Sequence, residues 1–150
     1  MAMRRGERGV TLVELIVILA ILGLVAGAAA PLIGDVLDGF RAHGATADLY
    51  GAVHLTRSRA RATGTMHALV VEPDGRGFRV VEDPGGTART VAGPLGLVDG
   101  AVASSNATIR FSPKGFAVPA GTITITSGRE VRRLIVNILG RVRIASGPPP

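Results

Sequence analysis

The chain has 150 residues, a formal net charge of +6, 47% hydrophobic residues and no cysteine. Without cysteine, disulfides, thiolate metal sites and cysteine nucleophiles are all excluded. The length suits one small domain beside an N-terminal segment, and the charge permits contact with nucleic acid or anionic lipid without demanding it.

The first segment is basic, with Arg4, Arg5 and Arg8 beside Glu7, and it closes at Gly9. From Val10 to Gly34 come 25 residues with a single charge, Glu14. As a helix this stretch would rise about 37 Å, enough to cross a hydrocarbon core of about 30 Å. The arginines just before it predict an N-terminal end in the cytoplasm and a C-terminal domain outside it. Helix packing would use Leu15, Ile18, Leu19, Leu22 and Val25 as knobs, with close approaches at Gly23, Gly27 and Ala28. Glu14 is the odd residue, because a carboxylate inside an apolar helix costs about 2.5–3.5 kcal/mol on insertion scales. Either it lies shallow and reaches the headgroups, or it has a partner. A cleavable secretory signal is a rival reading, with Ala28-Ala29-Ala30 as the processing site. Cleavage there would fall before Pro31, a poor residue for that step.

The junction Gly9-Val10-Thr11-Leu12-Val13-Glu14 resembles the prepilin leader of type IV pilins and type II secretion pseudopilins. The resemblance implies cleavage after Gly9 by a prepilin peptidase and methylation of the new amine on Val10, where the family usually has Phe or Met. Thr11 and Leu12 match the next positions, and Glu14 matches the fifth-residue glutamate. Pro31 falls twenty-second from Val10, where many pilins carry a helix-perturbing proline. The resemblance also supplies Glu14 with a partner, the N-terminal amine of a neighbouring subunit in an assembled filament. Opposite charges in a low-dielectric bundle prefer each other to lipid.

Beyond Pro31 a helix is expected to resume and run to about Thr63. Ala45, Leu49, Ala52, Val53, Thr56 and Ala60 recur at three- and four-residue spacing and form an apolar stripe. Arg57 and Arg61 fall on the opposite, wet face, with Arg59 nearer the boundary. Gly39, Gly44 and Gly51 weaken the helix and allow a bend, and Gly64 stops it. Met66 to Glu72 and Phe78 to Glu82 read as a hairpin across a turn-rich connection. Residues 91–106 are ambiguous; Gly93-Pro94-Leu95-Gly96 suggests loop, with a short strand around Leu97-Val98. Ala107 to Phe111, Thr122 to Thr126, Val131 to Ile138 and Arg141 to Ala145 read as strands.

One long helix followed by five or six antiparallel strands makes an α+β arrangement, with the helix packed on a small antiparallel β-sheet domain. The expected divisions are a leader at 1–9, a transmembrane and assembly helix at 10–34, an amphipathic continuation at 35–64, a β domain at 65–145 and a disordered tail at 146–150. Leu55-Thr56-Arg57-Ser58-Arg59-Ala60, Ile109-Arg110-Phe111-Ser112-Pro113-Lys114-Gly115 and Leu139-Gly140-Arg141-Val142-Arg143 resemble stretches of the H-type minor pseudopilins and FimT-like minor pilins. That resemblance implies an inner-membrane subunit that assembles with other pseudopilins or pilins on an inner-membrane platform, for protein secretion.

No catalytic set, metal-ligand set or cofactor motif emerges, so no enzyme activity and no cofactor are expected. His43, His54 and His67 are scattered and suit surface or packing roles. Asp35 and Asp38 suit a solvated helix face, since two carboxylates alone make a weak cation site. Gly140-Arg141-Val142-Arg143 is the remaining candidate. In a strand Arg141 and Arg143 share a face about 7 Å apart, a spacing that suits successive phosphates. Arg129, Arg132 and Arg133 could extend the patch. In FimT-like pilins a similar G-R-x-R element is associated with DNA capture for natural transformation, which is the alternative to secretion. Strand arginines serving solubility or an acidic neighbouring subunit are the plainer reading, and no aromatic residues interleave to stack bases.

Overall fold

In the computed structural model, residues 10–83 and 88–147 are described, the side chains of 30–32 excepted. The chain divides into two units, Met1–Gly34 and Asp35–Pro150. Helix α1 (Leu12–Thr63) contributes to both. Eight strands follow it: β1 (His67–Val71), β2 (Gly77–Glu82), β3 (Arg89–Gly96), β4 (Val102–Ser105), β5 (Ile109–Phe111), β6 (Gly121–Ser127), β7 (Glu130–Val136) and β8 (Val142–Ser146). The fold is the expected α+β arrangement of one long helix and antiparallel strands. The part of α1 beyond Asp35 belongs to the same compact unit as the strands.

In the second unit the stripe on α1 is the buried one. Ala45, Leu49, Ala52, Val53 and Ala60 join a single core with residues from both sheets. Two hydroxyls sit within this stripe. Thr46 donates to the Ala42 carbonyl at 2.6 Å and Thr56 to the Ala52 carbonyl at 2.7 Å, so neither is buried unpaired. Gly39, Gly44 and Gly51 leave the helix unbroken. At Gly44 the missing side chain has a use, because a Cβ there would lie 3.1 Å from Val98 Cγ2. Gly64 ends the helix with φ of +69°, the left-handed conformation that follows many helix C-termini.

The strands form two antiparallel four-stranded sheets. Their orders are β3-β2-β1-β5 and β4-β6-β7-β8. Leu69, Phe78, Val80, Ile109 and Phe111 face the core from the first sheet. Ala103, Ile123, Ile125, Leu134 and Val136 face it from the second. Alternation along β6, buried at every odd position, is the period-2 signature of a sheet with one covered face. The β6–β7 hairpin closes at Ser127↔Glu130 over Gly128-Arg129. Gly128 alone of the two takes a positive φ, +53°, as a type II′ turn requires.

The count of strands departs from expectation in residues 89–105. Arg89–Gly96 is an edge strand, and Leu97-Val98 lies after it, outside any strand. Gly93 and Pro94 fall between the pairs Val80↔Ala92 and Phe78↔Leu95, where the register shifts. An edge strand tolerates this, because a proline there removes no ladder bond that the sheet needs. The loop-like composition was therefore a bulge within a strand. Val102–Ser105, the other missed strand, pairs with β6 at the edge of the second sheet. Ser146, expected in the tail, closes β8, while 148–150 lie outside the described residues.

Candidate functional site

Every residue from Val10 to Ala28 is exposed. Within it Leu12, Leu19, Leu22 and Leu24 each leave more than half of their surface open. The helix holds an 18-residue window of mean hydropathy 2.7, long and apolar enough to cross a membrane. Such a surface has no stable place in water and calls for lipid or other apolar helices.

The start of this helix is built by the motif residues themselves. Glu14 N–H donates to Thr11 Oγ1 at 3.2 Å, and Leu15 N–H to the Thr11 carbonyl at 3.1 Å. Thr11 is thus the N-cap, Leu12 the first helical residue, and Glu14 the third. Thr-x-x-Glu is the capping-box spacing, and an acid in the first turn also complements the helix dipole. From chain order Thr11 is a match to a leader motif, and Glu14 is that match and a lone carboxylate in an apolar helix. The cap was legible there as a threonine three residues before a glutamate ahead of an apolar run. Thr11→Ala should weaken the first turn by about 1 kcal/mol. Amide exchange of residues 12–15 in detergent micelles is the measurement, and it should speed up with the rest of α1 unchanged. Gly9 lies outside the described residues. α1 continues through residue 31, whose side chain is likewise not described.

In the second unit three separated stretches meet at Arg57. Its Nε donates to the Gly115 carbonyl at 3.0 Å, and its Nη2 to the Leu139 carbonyl at 3.2 Å. Arg57 therefore does not simply face water, as its helical position implied. It ties α1 to the turn after β5 and to the turn between β7 and β8. Both turns pack against it through glycine. A Cβ on Gly140 would lie 2.6 Å from the Gly115 carbonyl and 2.9 Å from Arg57 Nε. A Cβ on Gly115 would lie 3.0 Å from Arg61 Cδ. The three stretches that carried the pseudopilin resemblance thus share one junction.

Just after this junction comes Arg141, one residue before β8. Its N–H donates to Asn137 Oδ1 at 2.9 Å, and its carbonyl accepts from Asn137 N–H at 3.0 Å. The side chains of Arg141 and Arg143 are both exposed. Arg143 pairs with Ile135 and Ala145 with Arg133, so Arg143 and Arg133 lie diagonally on the face turned away from the core. Arg133 is only half-exposed, and its Nε is buried without a hydrogen-bond partner.

Arg132 is not brought to this group. It opposes the buried Ile125, so it belongs to the core-side face. There its Nη1 meets His43 Nδ1 at 3.2 Å, and its Nε lies 3.3 Å from Glu130 Oε1. Asp38 is also not the solvated acid expected. It is half-buried, accepts from Arg41 at 3.2 Å, and receives Ser127 Oγ at 3.4 Å beside the β6–β7 turn. Among the described residues no cluster of three or more metal-ligating side chains occurs.

Two families match the chain. Residues 45–140 match the type II transport protein GspH, and residues 4–30 match the prokaryotic N-terminal methylation motif. The first ends at Gly140, so Arg141 and Arg143 lie beyond it. Type II secretion system protein H of Xanthomonas campestris pv. campestris is 32% identical over 83 residues, which are 55% of this chain and 47% of that protein. The chain thus spans about half the length of that curated relative. Among solved structures, the minor pseudopilin EpsH of Vibrio cholerae superposes with a TM-score of 0.57 at 15% identity, covering 76% of this chain and 99% of that one. The type IV minor pilin FimU of Pseudomonas aeruginosa gives 0.55 at 18% identity, covering 69% and 87%. Both likenesses show the pilin-like fold. A family match over residues 45–140, preceded by the methylation motif on an exposed apolar helix, places the chain in the type II transport protein GspH family.

Proposed function

We propose that the chain is a non-enzymatic minor subunit of a type II secretion pseudopilus. It is cut after Gly9 by prepilin peptidase and methylated on the amine of Val10. It is held in the inner membrane by the segment from Val10 to Gly34, with its N-terminus in the cytoplasm and the β domain outside. Entry into the filament occurs through the packing of these helices on an inner-membrane platform. Glu14 serves there as counter-charge to the amine of a neighbouring subunit, and Thr11, Leu12 and Pro31 shape the start and course of the helix.

The observation that carries this reading is the capped start of α1. Thr11 fixes the first helical turn two residues past Gly9 and presents Glu14 on a wholly exposed apolar surface. An ordinary cleaved signal has no use for either feature. Mass spectrometry of the mature protein tests it. The expected N-terminus is methylated Val10 in cells with a working peptidase, and Gly9→Val should retain the leader. A mature start at Pro31, or an uncut Met1 in such cells, defeats the reading.

A second reading is that the chain is a FimT-like minor type IV pilin that binds DNA for natural transformation. It draws on Arg143 and Arg133 sharing the outer face of the second sheet. Such binding would fall steeply with salt and would be lost in Arg141→Ala/Arg143→Ala.

A further inference from the structure

At the junction held by Arg57, the segments 115–118 and 138–140 run side by side, joined by Ala117 N–H to the Ile138 carbonyl at 2.9 Å. Ala117 points inward and is buried, so Phe116 and Val118 point outward. They remain 42% and 54% exposed, and Ile138 and Leu139 beside them are 66% and 51% exposed. Four large apolar side chains thus stand open on two adjacent turns. Their border is basic. Arg61, Lys114 and Arg141 are exposed there, and the salt bridges of the described residues engage Arg41, Arg79, Arg110 and Arg132 instead.

We infer that this patch is a docking surface for another protein subunit, one that presents an apolar centre rimmed by Asp and Glu. The charge supplies the first reason, since the rim is of one sign and no salt bridge among the described residues engages it. The apolar centre supplies the second. Ile138, Leu139 and Val118 have no counterpart on a phosphodiester backbone, so nucleic acid would leave the middle of the site unmatched. The third reason is rigidity. Arg57 holds both turns, and Gly140 N–H closes the 137–140 turn on the Asn137 carbonyl at 2.8 Å. A preset shape favours a complementary protein surface over a fluid lipid one. Arg141 then serves a subunit contact, which the leader and anchor alone do not specify. The inference rests on the assembly reading in one respect, that the partner is a neighbouring subunit.

The test uses the full chain. A photo-cross-linking residue is placed at Ile138 and, as control, at the exposed Arg76, in cells that make the whole machine. Ile138 should yield a protein adduct that Arg76 does not, and mass spectrometry names the adduct. The purified full chain in detergent is then titrated with that protein. Ile138→Ser/Leu139→Ser and Lys114→Glu/Arg141→Glu should each weaken the dissociation constant by about tenfold or more, given how few residues carry an interface. Thermal midpoints should stay near that of the unaltered chain, because all four side chains are exposed. No adduct at Ile138 above the control overturns the inference, as does an unchanged dissociation constant in either double variant. Duplex DNA or anionic phosphatidylglycerol vesicles bound through these residues, without a protein adduct, overturn it as well. Glu14→Gln keeps the two readings apart. It lowers filament entry if the assembly reading holds, and in that background the two patch variants must still weaken the dissociation constant.

Discussion

A full-length chain carrying Glu14→Gln is expected to insert in the membrane and to fold its β domain, yet to enter filaments at a level roughly tenfold or more below the unaltered chain. The choice of glutamine separates the place of Glu14 in the capped first turn from its proposed role as counter-charge. Glu14 is the third helical residue behind the Thr11 cap, and glutamine serves at that position of a capping box nearly as well as glutamate. The cap is therefore retained and only the charge removed. If the carboxylate meets the amine of a neighbouring Val10 in the bundle, its loss strands that amine in a low-dielectric site. Breaking a buried pair in this way costs about 3–5 kcal/mol, far more than the tenth-scale change expected at the cap. Co-purification of this chain with its partner subunits after cross-linking is the measurement. Normal co-assembly of Glu14→Gln would reduce the residue to its capping role. Glu14→Ala should assemble as poorly and lose part of the cap as well.

The second large effect is expected at Gly140. Gly140→Ala should destabilise the β-bearing unit by about 2–4 kcal/mol, from two sources. Its φ of +71° is the left-handed region, which costs an L-residue with a Cβ roughly 1–2 kcal/mol. The new Cβ would also stand 2.6 Å from the Gly115 carbonyl and 2.9 Å from Arg57 Nε. Relief of that collision requires the turn to move off Arg57, which opens both hydrogen bonds of the junction. Gly64→Ala is the matched control. It has a similar φ of +69° but nothing within 4 Å of the added atom, so only the backbone cost applies. Urea unfolding of the full chain in detergent, followed by circular dichroism of the strands, compares the two. Equal losses at Gly140 and Gly64 would show that the junction yields freely and that Arg57 holds nothing.

The apolar run, its cap and the buried stripe of α1 could be read from residues 10–63 because each depends on local chemistry. An uncharged run declares itself by composition, a cap by two residues three apart, and a stripe by its period. The hairpin β1–β2 and the strands β5 to β8 were legible for the same reason, since alternation and turn residues lie within a few positions of each other. Strand β3 was not. Gly93-Pro94 has the composition of a loop, and only pairing with β2 makes it a bulge.

The candidate residues divide along the same line. Gly9, Thr11 and Glu14 could be picked out from their order alone, and so could the exposed Arg141 and Arg143. That Arg132 turns to His43 while Arg133 turns to the outer face follows from register. A strand has two faces, and only its neighbours settle which of them is covered. Arg57 shows the limit most clearly. Helical spacing assigns it to water, but it spans 58 residues to Gly115 and 82 to Leu139. Contacts over such distances depend on how the sheets close around the helix, and no local pattern encodes that closure. Chain order was enough for the apolar helix and its capped start; the shape of the outer surface came from packing alone.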